Sequence, residues 1–272
     1  IKFEERVEPM KKKFFLLPFL FLFYACIPFD KGWTIDYHGK KEIVERPFQE
    51  LPKDFVPQFL QVCAIGDSLT VGVGSVEHGD GYLTYLRNRL LEEKGIGEVG
   101  IDSFGVNGNR TTHLLNRLED ERLIAGVKRA NIVIVTIGGN DMMKIVKDHL
   151  FELDLQDFRR EMIGYEKRIR EIITKLRGIN PKALIFYVGL YNPFLTILGN
   201  IEELNGVLEE WNQASEKVIH EFDGVYFVDI AEEFKEKGMQ FLSEDLFHPN
   251  DEGYEYIAEE IRVKMIEALF SM

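Results

Sequence analysis

Five short apolar runs, separated by longer stretches in which apolar residues recur every three or four positions, organise the chain from about residue 60 onward. Leu60–Ile65, Ile101–Phe104, Asn131–Ile137, Ala183–Val188 and Val225–Val228 read as buried strands. The third is almost wholly apolar and β-branched, the pattern of a central parallel strand covered on both faces. Between the runs, Tyr82, Leu83, Leu86, Leu90 and Leu91 give residues 81–93 one apolar helical face, with Asp80 as its cap and Gly95 and Gly97 as its stop. Thr111 or Thr112 caps a helix carrying Leu114, Leu115 and Leu118, and 119–128 reads as another short one. Phe158, Met162, Tyr165, Ile169, Ile172, Ile173 and Leu176 keep helical spacing over 155–177, as do Ile201, Leu204, Leu208, Trp211 and Val218 over 199–221. A terminal helix starts at Asn250 or Asp251 and runs to about Ala268. Loops are expected after Ser68, at 105–109 and at 190–194, and 141–157 reads as an irregular wall or lid over an apolar pocket. Strand and helix alternate five times, which predicts a three-layer α/β/α sandwich around a five-stranded, mostly parallel sheet.

The segment before this domain has a different pattern. Lys11-Lys12-Lys13 precedes the apolar and aromatic run Phe14–Ala25, and Cys26 follows. Such a sequence fits an export signal, and the run is short for a membrane span. Ala25-Cys26 resembles the lipobox of bacterial lipoproteins, which implies lipidation of Cys26 and an exported protein anchored to the outer face of the cytoplasmic membrane, or otherwise secreted. On this reading translation starts at Met10, residues 1–26 hold an upstream extension and the signal, 27–59 form a tether, and 60–272 form the catalytic domain. Cys63, the other of the two cysteines, lies in the first apolar run and reads as a small buried side chain. The formal charge of −13 argues against nucleic acid as a partner.

Polar residues gather at the predicted C-terminal ends of the strands, where open α/β sheets place their ligands. Gly66-Asp67-Ser68 ends the first, Gly105-Val106-Asn107-Gly108 the second, and Gly138-Gly139-Asn140-Asp141 the third. Taken singly, Ser68 also fits a cap, Asn140 a turn closure and His248 a surface position. Asp245 stands three residues before His248, close enough across a tight turn to fix the imidazole proton on one nitrogen and leave the other as a base. A serine hydroxyl needs such a base to act as a nucleophile. The glycine-containing turn at 105–108 can direct an N–H toward an anion. Asp67 reads as a buttress of the Ser68 loop and Asp141 as structural. The sequence has no Gly-x-Gly-x-x-Gly after the first strand, no phosphate-binding Gly-Lys-Ser/Thr loop, no Gly-x-Ser-x-Gly elbow and no His-Glu-x-x-His, so neither a cofactor nor a metal is expected.

The four ordered blocks Gly66-Asp67-Ser68-Leu69, Gly105–Gly108, Gly138–Asp141 and Asp245-Leu246-Phe247-His248-Pro249 resemble those of the SGNH, or GDSL-type, serine hydrolases, over about residues 60–268. The likeness is to lysophospholipase-like and esterase members. It implies a flavodoxin-like fold and ester hydrolysis through an acyl-enzyme. Ser68 is then the nucleophile, His248 the base and Asp245 its orienting carboxylate. The N–H groups of Ser68 and Gly108 and the side-chain amide of Asn140 form the oxyanion hole, with Gly105 as a rival donor. The expected substrate is an acyl ester, lipids included. The alternatives are an acetyl esterase of cell-wall or other polysaccharides and a surface lipoprotein that binds a ligand without turnover.

Overall fold

The computed structural model describes residues 57–149, 154–192 and 202–270. The predicted signal, Cys26 and most of the predicted tether lie outside the described residues, as do 150–153 of the segment expected as a lid. Among the described residues, no helix is long and apolar enough to cross a membrane.

Five strands form one sheet: β1 (Gln58–Gly66), β2 (Ile96–Gly105), β3 (Ile132–Thr136), β4 (Leu184–Val188) and β5 (Val225–Val228). Their order is β2-β1-β3-β4-β5 and every pairing is parallel. This is the flavodoxin-like order, whose ligand crevice opens where the winding reverses between β1 and β3. Alternation along the strands sorts side chains into two cores. Cys63, Ile65, Val133, Val135, Ile185 and Tyr187 face one side, where they meet α3 (Thr111–Arg117), α4 (Glu121–Arg129), α6 (Leu155–Ile179) and α7 (Glu202–Ile219). Val62, Ala64, Ile132, Ile134, Phe186 and Val188 face the other, against α2 (Tyr82–Leu91), α8 (Ala231–Lys237) and α9 (Asp251–Phe270). Burial on both faces explains why β1, β3 and β4 read as continuous apolar runs.

Several boundaries differ from the sequence reading for local reasons. The edge strand β2 has ten residues, longer than its apolar run, because Glu98, Asp102 and Ser103 interrupt that run: Glu98 and Ser103 are exposed, and Asp102 accepts hydrogen bonds from Gln61 and Arg129. Ser68 begins a four-residue helix, α1 (Ser68–Val71), where a loop was expected. The stretch after Asn140 is helical too, as α5 (Gly139–Asp148), with Met142, Ile145 and Val146 buried at helical spacing. Asp80 does not cap α2; its carboxylate takes the Thr84 hydroxyl while Gly81 occupies the cap position. Neither Thr111 nor Thr112 caps α3, which starts at Thr111 after Arg110. Helix α8 and the 3-10 turn Gly238–Phe241, absent from the sequence reading, fill the run between β5 and the His248 loop.

Candidate active site

The site starts where the parallel neighbours β1 and β3 end side by side. Gly66 ends β1 opposite Thr136 of β3, and any Cβ there would overlap the Thr136 hydroxyl and carbonyl oxygens, so only glycine lets the strands close. Asp67 then caps α1 by accepting the Leu69 N–H at 3.1 Å and the Thr136 hydroxyl at 3.2 Å. Burial pushes the Asp67 carboxyl up to about 7, against those two hydrogen bonds. Ser68, 4% exposed, is the first residue of α1, so its N–H has no acceptor within the helix. The expected buttress role of Asp67 matches these contacts.

The loop before α9 brings the second part. Its ends close on themselves: the Ser243 N–H donates to the His248 carbonyl at 2.8 Å and the Leu246 N–H to the Ser243 carbonyl at 2.9 Å, with Leu246 at φ 55°. Inside this turn one oxygen of Asp245 accepts the N–H groups of Phe247 and His248 and the Ser243 hydroxyl, at 2.9, 2.8 and 2.8 Å. The other oxygen lies 2.6 Å from His248 Nδ1. Partial desolvation opposes ionisation of Asp245, yet these four donors outweigh it and hold the carboxyl well below the usual range. Nδ1 is therefore the protonated nitrogen and Nε2 is left to accept a proton. The Tyr191 hydroxyl braces the loop from β4's side by donating to the Phe247 carbonyl at 2.7 Å.

Asn140 lies in the first turn of α5, beyond the end of β3, and its Nδ2 donates to the Asn109 carbonyl at 3.1 Å. Gly108 precedes Asn109 in a turn closed by the Asn109 N–H on the Val106 carbonyl, with φ 74° and open space where a Cβ would stand. The rival Gly105 sits opposite Gly66 at the end of the ladder, where a Cβ would meet the backbone of α1. Asp141 is structural as expected: buried, it accepts the N–H and hydroxyl of Thr111 at 2.9 and 2.5 Å and pairs with Arg168 at 3.3 Å. Burial raises the Asp141 carboxyl, opposed by the Thr111 hydrogen bonds and the Arg168 charge.

Ser68, Asn140 and His248 line one cleft that opens to solvent. Asp245 stands behind His248, and Gly108 lies on the adjoining turn rather than among the lining residues. The remaining wall is mostly apolar, with Ile137, Met142, Leu190, Leu204, Leu208 and Phe247. Met142 gives part of the expected wall. Sequence reasoning missed the role of Tyr191 and of Arg117, whose guanidinium reaches Gly66, Phe104 and Asn109. Among the described residues no group of three His, Cys, Asp or Glu side chains is placed to hold a metal ion.

A flavodoxin-like sheet with a serine after β1, an amide after β3 and a histidine–carboxylate pair before the last helix defines the class of serine hydrolases that build their site at the β1/β3 crevice. The chain belongs to the GDSL-like lipase/acylhydrolase family, whose model matches residues 64–256, and it is a carboxylic ester hydrolase. YpmR of Bacillus subtilis, a protein described as uncharacterized, is 36% identical over 206 residues, covering 75% of this chain and 80% of the relative. The spore germination lipase LipC of Bacillus licheniformis is 28% identical over 210 residues, covering 75% and 95%. Among solved structures, the lipase Lip_vut3 from a goat rumen metagenome matches with a TM-score of 0.68 at 27% identity, covering 75% of this chain and 96% of that one.

Proposed function

We propose that this chain hydrolyses esters of medium or long acyl chains, lipids included, with Ser68 as nucleophile, His248 as general base and acid, and Asp245 as the carboxylate that orients it. Ser68 Oγ attacks the acyl carbonyl as His248 Nε2 takes its proton. The oxygen that gains charge is met by the N–H groups of Ser68 and Gly108 and by Asn140 Nδ2. One such donor contributes about 3–4 kcal/mol to the transition state. His248 then gives its proton to the leaving alcohol, and water repeats the sequence on the acyl-enzyme to release the acid.

The observation that carries the reading is the apolar cleft with Ser68, Asn140 and His248 on its wall. A mostly apolar wall of Ile137, Met142, Leu190, Leu204, Leu208 and Phe247 beside Ser68 suits a longer acyl chain better than acetate. Hydrolysis of p-nitrophenyl esters from acetate to palmitate, by the protein and its Ser68→Ala variant, tests it. A rate that peaks at medium or long chains and vanishes in the variant supports the reading; a sharp preference for acetate overturns the chain-length part.

Export and lipid anchoring at Cys26 belong to the same proposal, supported by the basic cluster, apolar run and cysteine at residues 11–26. Loss of detergent-phase partitioning in Cys26→Ser is the expected result; unchanged partitioning overturns it.

A further inference from the structure

Arg117, near the end of α3, is half-buried and spends its guanidinium on three neutral oxygens from the active edge of the sheet. One terminal nitrogen donates to the Phe104 carbonyl at 2.6 Å, and the other to the Asn109 side-chain oxygen at 3.0 Å and the Gly66 carbonyl at 3.3 Å. It makes no ion pair with a carboxylate among the described residues. The fork thus ties the end of β2 and the residue before Asp67-Ser68 to Asn109.

Asn109 in turn controls Asn140. The peptide between Asn109 and Arg110 is held at both ends, its carbonyl accepting Asn140 Nδ2 at 3.1 Å and its N–H donating to His113 Nδ1 at 3.2 Å. The Asn109 side chain is itself buried, with its oxygen fixed by Arg117. An amide has two N–H donors and one oxygen, so the bond to Asn109 decides which edge Asn140 presents. With one N–H committed, the second is free for the substrate oxygen. If the Asn109 carbonyl turned away, the Asn140 amide could rotate and aim its own oxygen at a developing negative charge.

We propose that Arg117 is a positioning residue for the oxyanion hole, acting through Asn109 to hold the Asn140 amide with an N–H toward the reacting carbonyl. This inference rests on the assignment of Asn140 as an oxyanion donor. Nothing in the four sequence blocks includes Arg117, and its effect reaches the substrate only through two other residues.

A double-mutant cycle on the full chain tests it, with kcat and KM for p-nitrophenyl butyrate as readout. Asn140→Ala is expected to lower kcat by about 10²–10³-fold. Arg117→Met is expected to lower kcat about 30-fold, and Asn109→Ala about tenfold, with KM within about twofold in both, as for an interaction made in the transition state. In the Asn140→Ala background each is expected to cost less than about threefold, because the group they position is gone. Asn109→Ala keeps the Arg117 bonds to Gly66 and Phe104, so it decides the matter even if Arg117→Met unfolds. Losses that add in full to that of Asn140→Ala, or an Asn109→Ala variant with unchanged kcat, overturn the role of Arg117 while leaving Asn140 in place. No loss in Asn140→Ala alone overturns the oxyanion assignment instead.

Discussion

Asp245→Asn changes one atom of the site and isolates what the carboxylate contributes. Asparagine keeps the oxygen that accepts the Phe247 and His248 N–H groups and the Ser243 hydroxyl, so the turn keeps its shape. Its amide nitrogen replaces the oxygen 2.6 Å from His248 Nδ1 and donates to it. Nδ1 then becomes an acceptor, the ring proton moves to Nε2, and that nitrogen can no longer take the Ser68 proton. The same replacement of a buried triad carboxylate costs about 10⁴ in kcat. Here the Asp245 side chain is 45% exposed, and water can stabilise part of the imidazolium charge. The expected loss is therefore smaller, about 10²–10³-fold, or about 3–4 kcal/mol of transition-state stabilisation. Steady-state hydrolysis of p-nitrophenyl butyrate measures it, with thermal unfolding as control. The loss is expected in kcat, with KM within about twofold and stability within about 1 kcal/mol. A loss under about tenfold, or one carried by KM or by unfolding, would refute the tautomer argument.

Three further outcomes follow from the geometry. Gly66→Ala forces a methyl into the Thr136 oxygens and is expected to lower stability by about 3 kcal/mol with loss of activity; unchanged denaturant unfolding would contradict this. Asp67 titrates near 7 when folded, against about 4 when unfolded, so the unfolded chain gives up the proton first as pH rises and wild-type stability falls between those values. Asp67→Asn removes that penalty, and its stability relative to wild type is expected to rise by up to about 4 kcal/mol from pH 4 to pH 8; a difference that shrinks with pH would contradict the assigned shift. Met142→Trp fills the cleft and is expected to lower kcat/KM at least about tenfold for a decanoate ester while leaving butyrate within about threefold. Equal losses on both esters would show that the chain does not lie along α5.

The central strands were legible because both their faces are buried, so β1, β3 and β4 needed only their apolar runs. Edge strand β2 was half hidden by the polar residues that break its apolar run. The short helices at the active edge were missed for another reason. Helix α1 has four residues between Asp67 and Gly72, too few for a period to show. Helix α5 is capped by Gly138 and starts at Gly139, a pair that read as a turn although Met142, Ile145 and Val146 carried helical spacing. In the site, Asp245 and His248 were legible because their contact is local. Arg117 was not: it reaches Gly66 across 51 residues of sequence, and an arginine at the end of a helix looks like any solvated charge.

The most direct measurement of the central claim is active-site labelling with a long-chain fluorophosphonate, followed by intact mass and peptide mapping. One adduct per chain on Ser68, absent in Ser68→Ala and strongly slowed in His248→Ala, is the result expected if Ser68 is the activated nucleophile of this cleft. A folded protein that takes up no label, or carries it on another residue, would contradict the assignment.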